Sequence, residues 1–485
     1  LDTRILVNNR DNRVESNTHI SDENGIIPSE VLFARTFDEM SSDNYNMNLH
    51  YGYRADRTSS LSADISFGKY YSGTATWQPN EYFTGDGIDF LRSVEDQYET
   101  NTDIDIFSAQ VDYEKQLGRF TLSGGSKYSS IQTDNRLAYY DLTNGEPEVD
   151  IYRSNDFSYL ENIVAFYFML NTKLTQKINV NAGFRVENTA SLGELTSAYP
   201  SEDDVVPRNY TSFFPNVSAS YDDQEKHAVS LSIGRRITRP NYQDLNPFES
   251  KMSEISSWKG NPFLRPNYIM NYQLSYAFKR KLVISNTYSV TTDFFATIFE
   301  VVDEKASILI PRNMQKVTNN GLSISYPLKV TEWWNFSSFL IYNHERYNGD
   351  LEGTIIDLKA NIVNFRMQNN LQLPFGIVVE LTYMGGSPWI WRGTINVEEY
   401  HRVNVGLKKE FLNNNLLIQI TGTDILRTSS DYYYNNNYGG MITDGVRTFD
   451  NQRFGFSLTY KFGNQKANSR QRSSAMDEEL KRISD

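Results

Sequence analysis

Apolar and polar residues alternate with a period of two along most of the chain. Tyr45, Met47, Leu49, Tyr51 and Tyr53 interleave with Asn44, Asn46, Asn48, His50 and Gly52. Ile178, Val180, Ala182, Phe184 and Val186 interleave with Asn179, Asn181, Gly183, Arg185 and Glu187, and Phe375, Ile377, Val379, Leu381 and Tyr383 do so with Val378, Glu380, Thr382 and Met384. Successive side chains of an extended strand point to opposite faces, so each stretch predicts a strand with one apolar and one polar face. Arg185 and Glu380 in mid-strand argue against a core buried on both faces, where an unpaired charge is costly. A wet lumen or a plug solvates them. At Ile104, Ile106, Phe107, Ala109, Val111 and Tyr113 the apolar set changes parity between Ile106 and Phe107. This predicts a β-bulge, which re-phases the faces by one residue, or a misplaced strand start.

Between the strands, short and long connections take turns. Short ones are expected at Arg54–Ser59, Gln116–Arg119, Leu174–Lys177, Asp222–Lys226, Phe278–Lys281, Lys329–Glu332, Leu373–Phe375 and Phe411–Asn415. Long ones are expected near Ser72–Thr102, Gln132–Ser158, Thr189–Asn209, Thr238–Pro266, Asp293–Val317, Glu345–Ile355, Ser387–Glu398 and Ile425–Val446. Outer-membrane barrels sort their connections in this way, with short periplasmic turns and long extracellular loops. The expected fold is therefore all-β, a transmembrane antiparallel β-barrel of about 16–22 strands, with about 18–20 visible. It spans residues 1–463, followed by a polar periplasmic tail over 464–485 in which Ser474 and Asp477 are spaced as a capping box.

Composition fits this picture. Aromatic residues make up 14% of the chain, with 32 Tyr and 28 Phe, yet mean hydropathy is -0.54. No apolar run approaches the roughly 18 residues of a membrane helix, whereas a barrel strand needs only every second residue apolar. There are no cysteines, which removes disulfides and thiolate metal sites. A formal charge of -13 argues against nucleic acid as a partner. The opening Leu1-Asp2-Thr3-Arg4 lacks the pattern of a signal peptide, so either a signal was removed or the chain is a fragment.

One stretch is more specific. Arg235-Arg236-Ile237-x-Arg239-Pro240-x-Tyr242-x-x-Leu245-Asn246-Pro247-Phe248 and Gly260-Asn261-Pro262-x-Leu264-x-Pro266-x-Tyr268 resemble the mid-barrel signature of TonB-dependent outer-membrane receptors, in the variant typical of Bacteroidota. Asn267 stands where that family usually has Glu. The last strand, Phe454, Phe456, Leu458, Tyr460 and Phe462, resembles the terminal signal read by outer-membrane insertion machinery, and a periplasmic Phe462 puts every short turn in the periplasm. The resemblance implies a wide barrel filled by an amino-terminal plug, and import of captured ligand when an inner-membrane motor pulls the plug through TonB. No plug or TonB-contact segment is recognisable before the first strands. The expectation is thus a receptor that imports a ligand too large or scarce for porins, with TonB contacted through a missing amino-terminal region. The alternative is a non-transporting barrel that serves as a structural or assembly partner of other outer-membrane proteins or surface lipoproteins. A passive porin fits the long aromatic loops less well.

Catalytic signals are weak. The histidines His19, His50, His227, His344 and His401 have no metal-ligand spacing, and no nucleophile elbow or phosphate loop occurs. Neither an enzyme nor a cofactor is expected. Tyr432, Tyr433, Tyr434, Asn435 and Tyr438 offer aromatic faces and amides suited to a polar ligand, or to packing on one another. Trp389 and Trp391 share a face in an extended segment and are expected to anchor at the membrane interface, where Trp is enriched. The alternation of short and long connections places Arg235, Arg236, Arg239, Tyr242 and Asn246 at the extracellular rim, where they are expected to brace loops against acidic neighbours or lipopolysaccharide rather than contact ligand directly.

Overall fold

The computed structural model describes residues 2–21, 28–142, 147–301, 306–351, 354–429, 431–438, 441–462 and 475–483. Eighteen strands form one antiparallel sheet, running from Asp2–Ser21 to Arg453–Tyr460, each paired with the next wall strand in chain order. Among the described residues no pairing joins the first of these strands to the last. The all-β fold and the strand number agree with the alternation pattern. Every expected short turn is present, for example between Arg54 and Ser59 and between Phe411 and Leu416. Left-handed backbone at Lys279, Arg280, Phe375 and Leu412 closes several of them.

The apolar face of this wall is open. Tyr45, Met47 and Leu49 are exposed, as are Phe166, Phe168, Phe213 and Val217 on strands farther along the sheet. A continuous exposed band of this kind belongs against lipid rather than water. The opposite face is polar and packs on elements from the long connections.

Strand length is where the pattern misleads. The stretches Ser72–Thr102, Gln132–Ser158 and Thr189–Asn209, expected as loops, are largely wall. Ser59–Thr84 and Phe90–Leu117 have 26 and 28 residues, whereas about 9–11 cross a bilayer. Beyond the apolar band the outward side chains turn polar, as at Asp103, Asp105 and Glu99, so the period vanishes while the strand continues.

The expected bulge is also absent. Gly68 faces Ile106 and Phe67 faces Phe107 in unbroken register, and Ile106 and Phe107 face Ile131 and Ser130 on the other side. Ile104 and Ile106 point inward, 1% and 3% exposed, while Val111 and Tyr113 are exposed on the outside. The change of parity marks an apolar patch on the inner face. Met476, Leu480 and Ile483 cover that patch. Residues 475–483, expected to belong to a polar tail, therefore fold onto the inner wall, although Ser474 of the expected capping box lies outside the described residues.

Candidate functional site

The signature stretch leaves the wall at Thr238 and folds inward as a knot of local hydrogen bonds. Pro240 fixes the chain direction, and the Asn241 side chain accepts from the Asp244 N–H at 2.7 Å, capping the single turn Tyr242–Leu245. Asn246 Oδ1 accepts from the Phe248 N–H at 3.2 Å, and Asn261 Oδ1 accepts from the Phe263 N–H at 2.9 Å. The Asn261 N–H donates to the Asp244 carbonyl at 2.6 Å. At Gly260 an added Cβ would lie 2.0 Å from the Asn246 carbonyl oxygen, so only glycine fits. Arg208 clamps the second half of the signature by donating to the carbonyls of Pro262 and Leu264.

Arg239 and Tyr242 lie deeper than a rim position. Arg239 donates to Glu187 at 2.7 Å and to Thr189 at 3.0 Å, and Glu187 also pairs with Arg185 at 2.5 Å. Tyr242 is 3% exposed, in the cluster with Ile104, Ile106, Ile131 and Met476. Asn246 is buried. Arg236 stays exposed, and Arg235 lies over the Tyr268 ring at 4.4 Å and donates to the Phe213 carbonyl. The inner wall thus meets its mid-strand charges with partners from the wall itself and from the signature loop. Asp96, 2% exposed, pairs with Arg153 at 2.6 Å and with Lys251 of the signature loop at 2.8 Å.

Four of the long connections build two small sheets. Glu249–Ser253 and Ser256–Lys259 join Phe295–Val301 and Ser307–Asn313 in one. Trp389–Trp391, Ile395–Val397, Asp431–Tyr438 and Met441–Thr448 form the other. They share an apolar core in which Phe299, Leu309, Ile395 and Val397 are buried and Trp258, Trp389, Trp391, Tyr432 and Tyr434 pack against them. Trp389 and Trp391 are therefore loop-core residues, in place of the expected membrane-interface anchors. Their spacing does put them on one face, but that face meets another loop.

Tyr432 and Tyr434 point into this core, Tyr433 between them is 50% exposed, and the Asn396 side chain donates to Asn435 at 3.0 Å. For Tyr438 the backbone pairing with Met441 is described and its side chain is not. The feature that sequence reasoning missed is Arg392. Its guanidinium sits 4.6 Å from the Trp258 ring and 5.0 Å from the Trp391 ring, within cation–π range of both, and the residue remains exposed. Arg392 and Gly393 adopt left-handed backbone, φ 50° and 89°, and the Arg392 carbonyl accepts from the Thr297 N–H at 2.9 Å. The turn holds a cation between two aromatic faces, an arrangement suited to an anionic or π-rich ligand. Its signal in the sequence was the Trp-Arg-Gly run; its second aromatic wall, Trp258, lies far away in the chain. Among the described residues no group of His, Asp and Glu forms a metal site.

Residues 8–460 match the model of the outer membrane protein beta-barrel family. None of the curated proteins matches the chain in sequence. Among solved structures, the copper transporter OprC superposes with a TM-score of 0.60 at 11% identity, covering 95% of this chain and 80% of that one. The ferric yersiniabactin uptake receptor FyuA from Yersinia pestis gives 0.54 at 11% identity, with 95% and 76% covered. The ferric-catecholate import receptor Fiu from K12 E. coli gives 0.53 at 11%, with 95% and 81% covered. At this identity the likeness establishes a shared fold.

Proposed function

Because the chain belongs to the outer membrane protein β-barrel family, we propose that it forms the wall and ligand-gathering loops of an outer-membrane receptor that imports a bulky ligand with energy delivered through TonB. The observation that carries this reading is the loop-built aromatic core with Arg392 exposed between Trp258 and Trp391. Loops that fold into two sheets and reach the inner wall suit capture of a specific ligand better than passive flow through an open pore. The likeness in fold to proteins that carry copper or ferric complexes supports the same direction of transport.

In this reading the long connections face outside and the short turns face the periplasm. The ligand meets the aromatic surface by stacking, and the guanidinium selects for negative charge. The test is accumulation of iron catecholates by cells with and without the protein, each with TonB intact or deleted. Accumulation that requires both proteins is expected. Equal accumulation in all four strains contradicts the proposal.

A further inference from the structure

We propose that Ala475–Ile483 is a releasable latch that fastens the signature loop to the inner wall. Two separate bodies meet on this short segment. On the wall side, Lys127 pairs with Glu479 at 2.9 Å, Ser108 donates to the Ala475 carbonyl at 3.2 Å, and Met476 fills the inward apolar patch. Gly68 makes room for it, since a Cβ there would stand 3.1 Å from the Met476 sulfur. On the loop side, Arg482 donates to the Pro240 carbonyl at 3.0 Å and lies over the Tyr242 ring at 4.3 Å, while its guanidinium also pairs with Glu161 of the wall.

The fit is close at the anchor points. Met476 is 1% exposed, Glu479 3% and the facing Lys127 6%. It is also incomplete. The Tyr242 hydroxyl and Arg482 Nη2 are buried with no hydrogen-bond partner among the described residues, and each such group subtracts from the stability of the docked state. A one-turn helix held by three ion pairs and the apolar side chains of Met476, Leu480 and Ile483 is still a small interface, of the kind that opens without unfolding the wall.

The segment follows the last wall strand, whose Tyr460 sits beside Leu416 at the short-turn end. The loop it grips belongs to the opposite end and carries Trp258. Docking therefore links the two ends of the barrel, and whatever orders the loop must favour docking to the same degree, by linkage. The inference is independent of what the loops bind.

A single reporter cysteine tests it, because the chain has none of its own. In assembled protein, Ala475→Cys is labelled with a water-soluble maleimide, and tryptic cutting at Lys251 and Lys259 reports on the loop. Glu479→Lys, which follows the wall in sequence and leaves barrel assembly intact by heat-modifiability, is expected to raise labelling about tenfold. Adding Lys127→Glu restores the slow rate, and cutting of the loop rises and falls with labelling. Labelling unchanged by Glu479→Lys overturns the latch. Faster labelling with unchanged cutting overturns its hold on the loop.

Discussion

Arg239 and Glu187 meet on the inner face of the wall, Nη2 to Oε2 at 2.7 Å, and both are largely buried. This pair converts a surface-looking arginine of the signature into the tie between a loop and a buried carboxylate of the wall. Arg239→Ala leaves the buried Glu187 with Arg185 as its remaining cationic partner and is expected to cost about 1.5–3 kcal/mol, the loss of a charge-assisted hydrogen bond. Arg235→Ala, which loses an exposed ring contact, costs about 1 kcal/mol or less. Chemical unfolding in detergent, read by loop proteolysis, ranks the two.

Gly260 predicts a steric effect with no change of charge. A methyl group there meets the Asn246 carbonyl oxygen at 2.0 Å, and backbone cannot yield as a flexible side chain would. Gly260→Ala is expected to undo the turn linking Asp244 to Asn261 and to raise hydrogen exchange across residues 241–263. The wall strands should keep their protection.

Facing on the membrane is testable on one strand. Val379 pairs with Leu371 and Leu407 on the outer face, and Glu380 pairs with Asn370 and Gly406 on the inner. Val379→Arg is expected to cost about 2–4 kcal/mol at mid-bilayer. Glu380→Arg, which keeps a charge on the polar face, is expected to cost about 1 kcal/mol or less. Unfolding titrations in lipid vesicles measure both.

Asp424 makes a pH prediction. It is fully buried in the loop after Thr423 and accepts from the N–H and hydroxyl groups of Thr428 and Ser429, at 3.0–3.3 Å. Burial alone raises its carboxyl pKa, but these donors outweigh burial and hold it below the ordinary value. A depressed folded-state pKa contributes stability that is complete above the unfolded value and is lost as pH falls through the folded one. Exchange protection of the Thr428 and Ser429 amides should hold from neutral pH down to about 4 and then fade. Asp424→Asn should weaken it at neutral pH and remove its dependence on pH.

The turns, the strand number and the two faces were legible because membrane strands impose a period of two and short turns interrupt it sharply. Wall beyond the membrane was not, since Asp103 and Asp105 face water and carry no hydrophobic period. The inward Ile104 and Ile106 read as a bulge because their partner, Met476, lies some 370 residues away in the chain. Trp389 and Trp391 were misplaced for a related reason. Tryptophan is favoured both at a membrane interface and in a wet aromatic core, and only the position of Trp258 and Phe299 tells these apart.

The claim that the loops gather ligand rests most heavily on Arg392 and its two aromatic neighbours. Equilibrium binding of a ferric catecholate to assembled protein, compared with Arg392→Ala and Trp391→Ala, tests it directly. Each substitution is expected to weaken binding by about tenfold or more, from the loss of a partly desolvated cation–π contact and of stacking area. Affinity for that probe unchanged in both variants would contradict the assignment of this surface as the capture site.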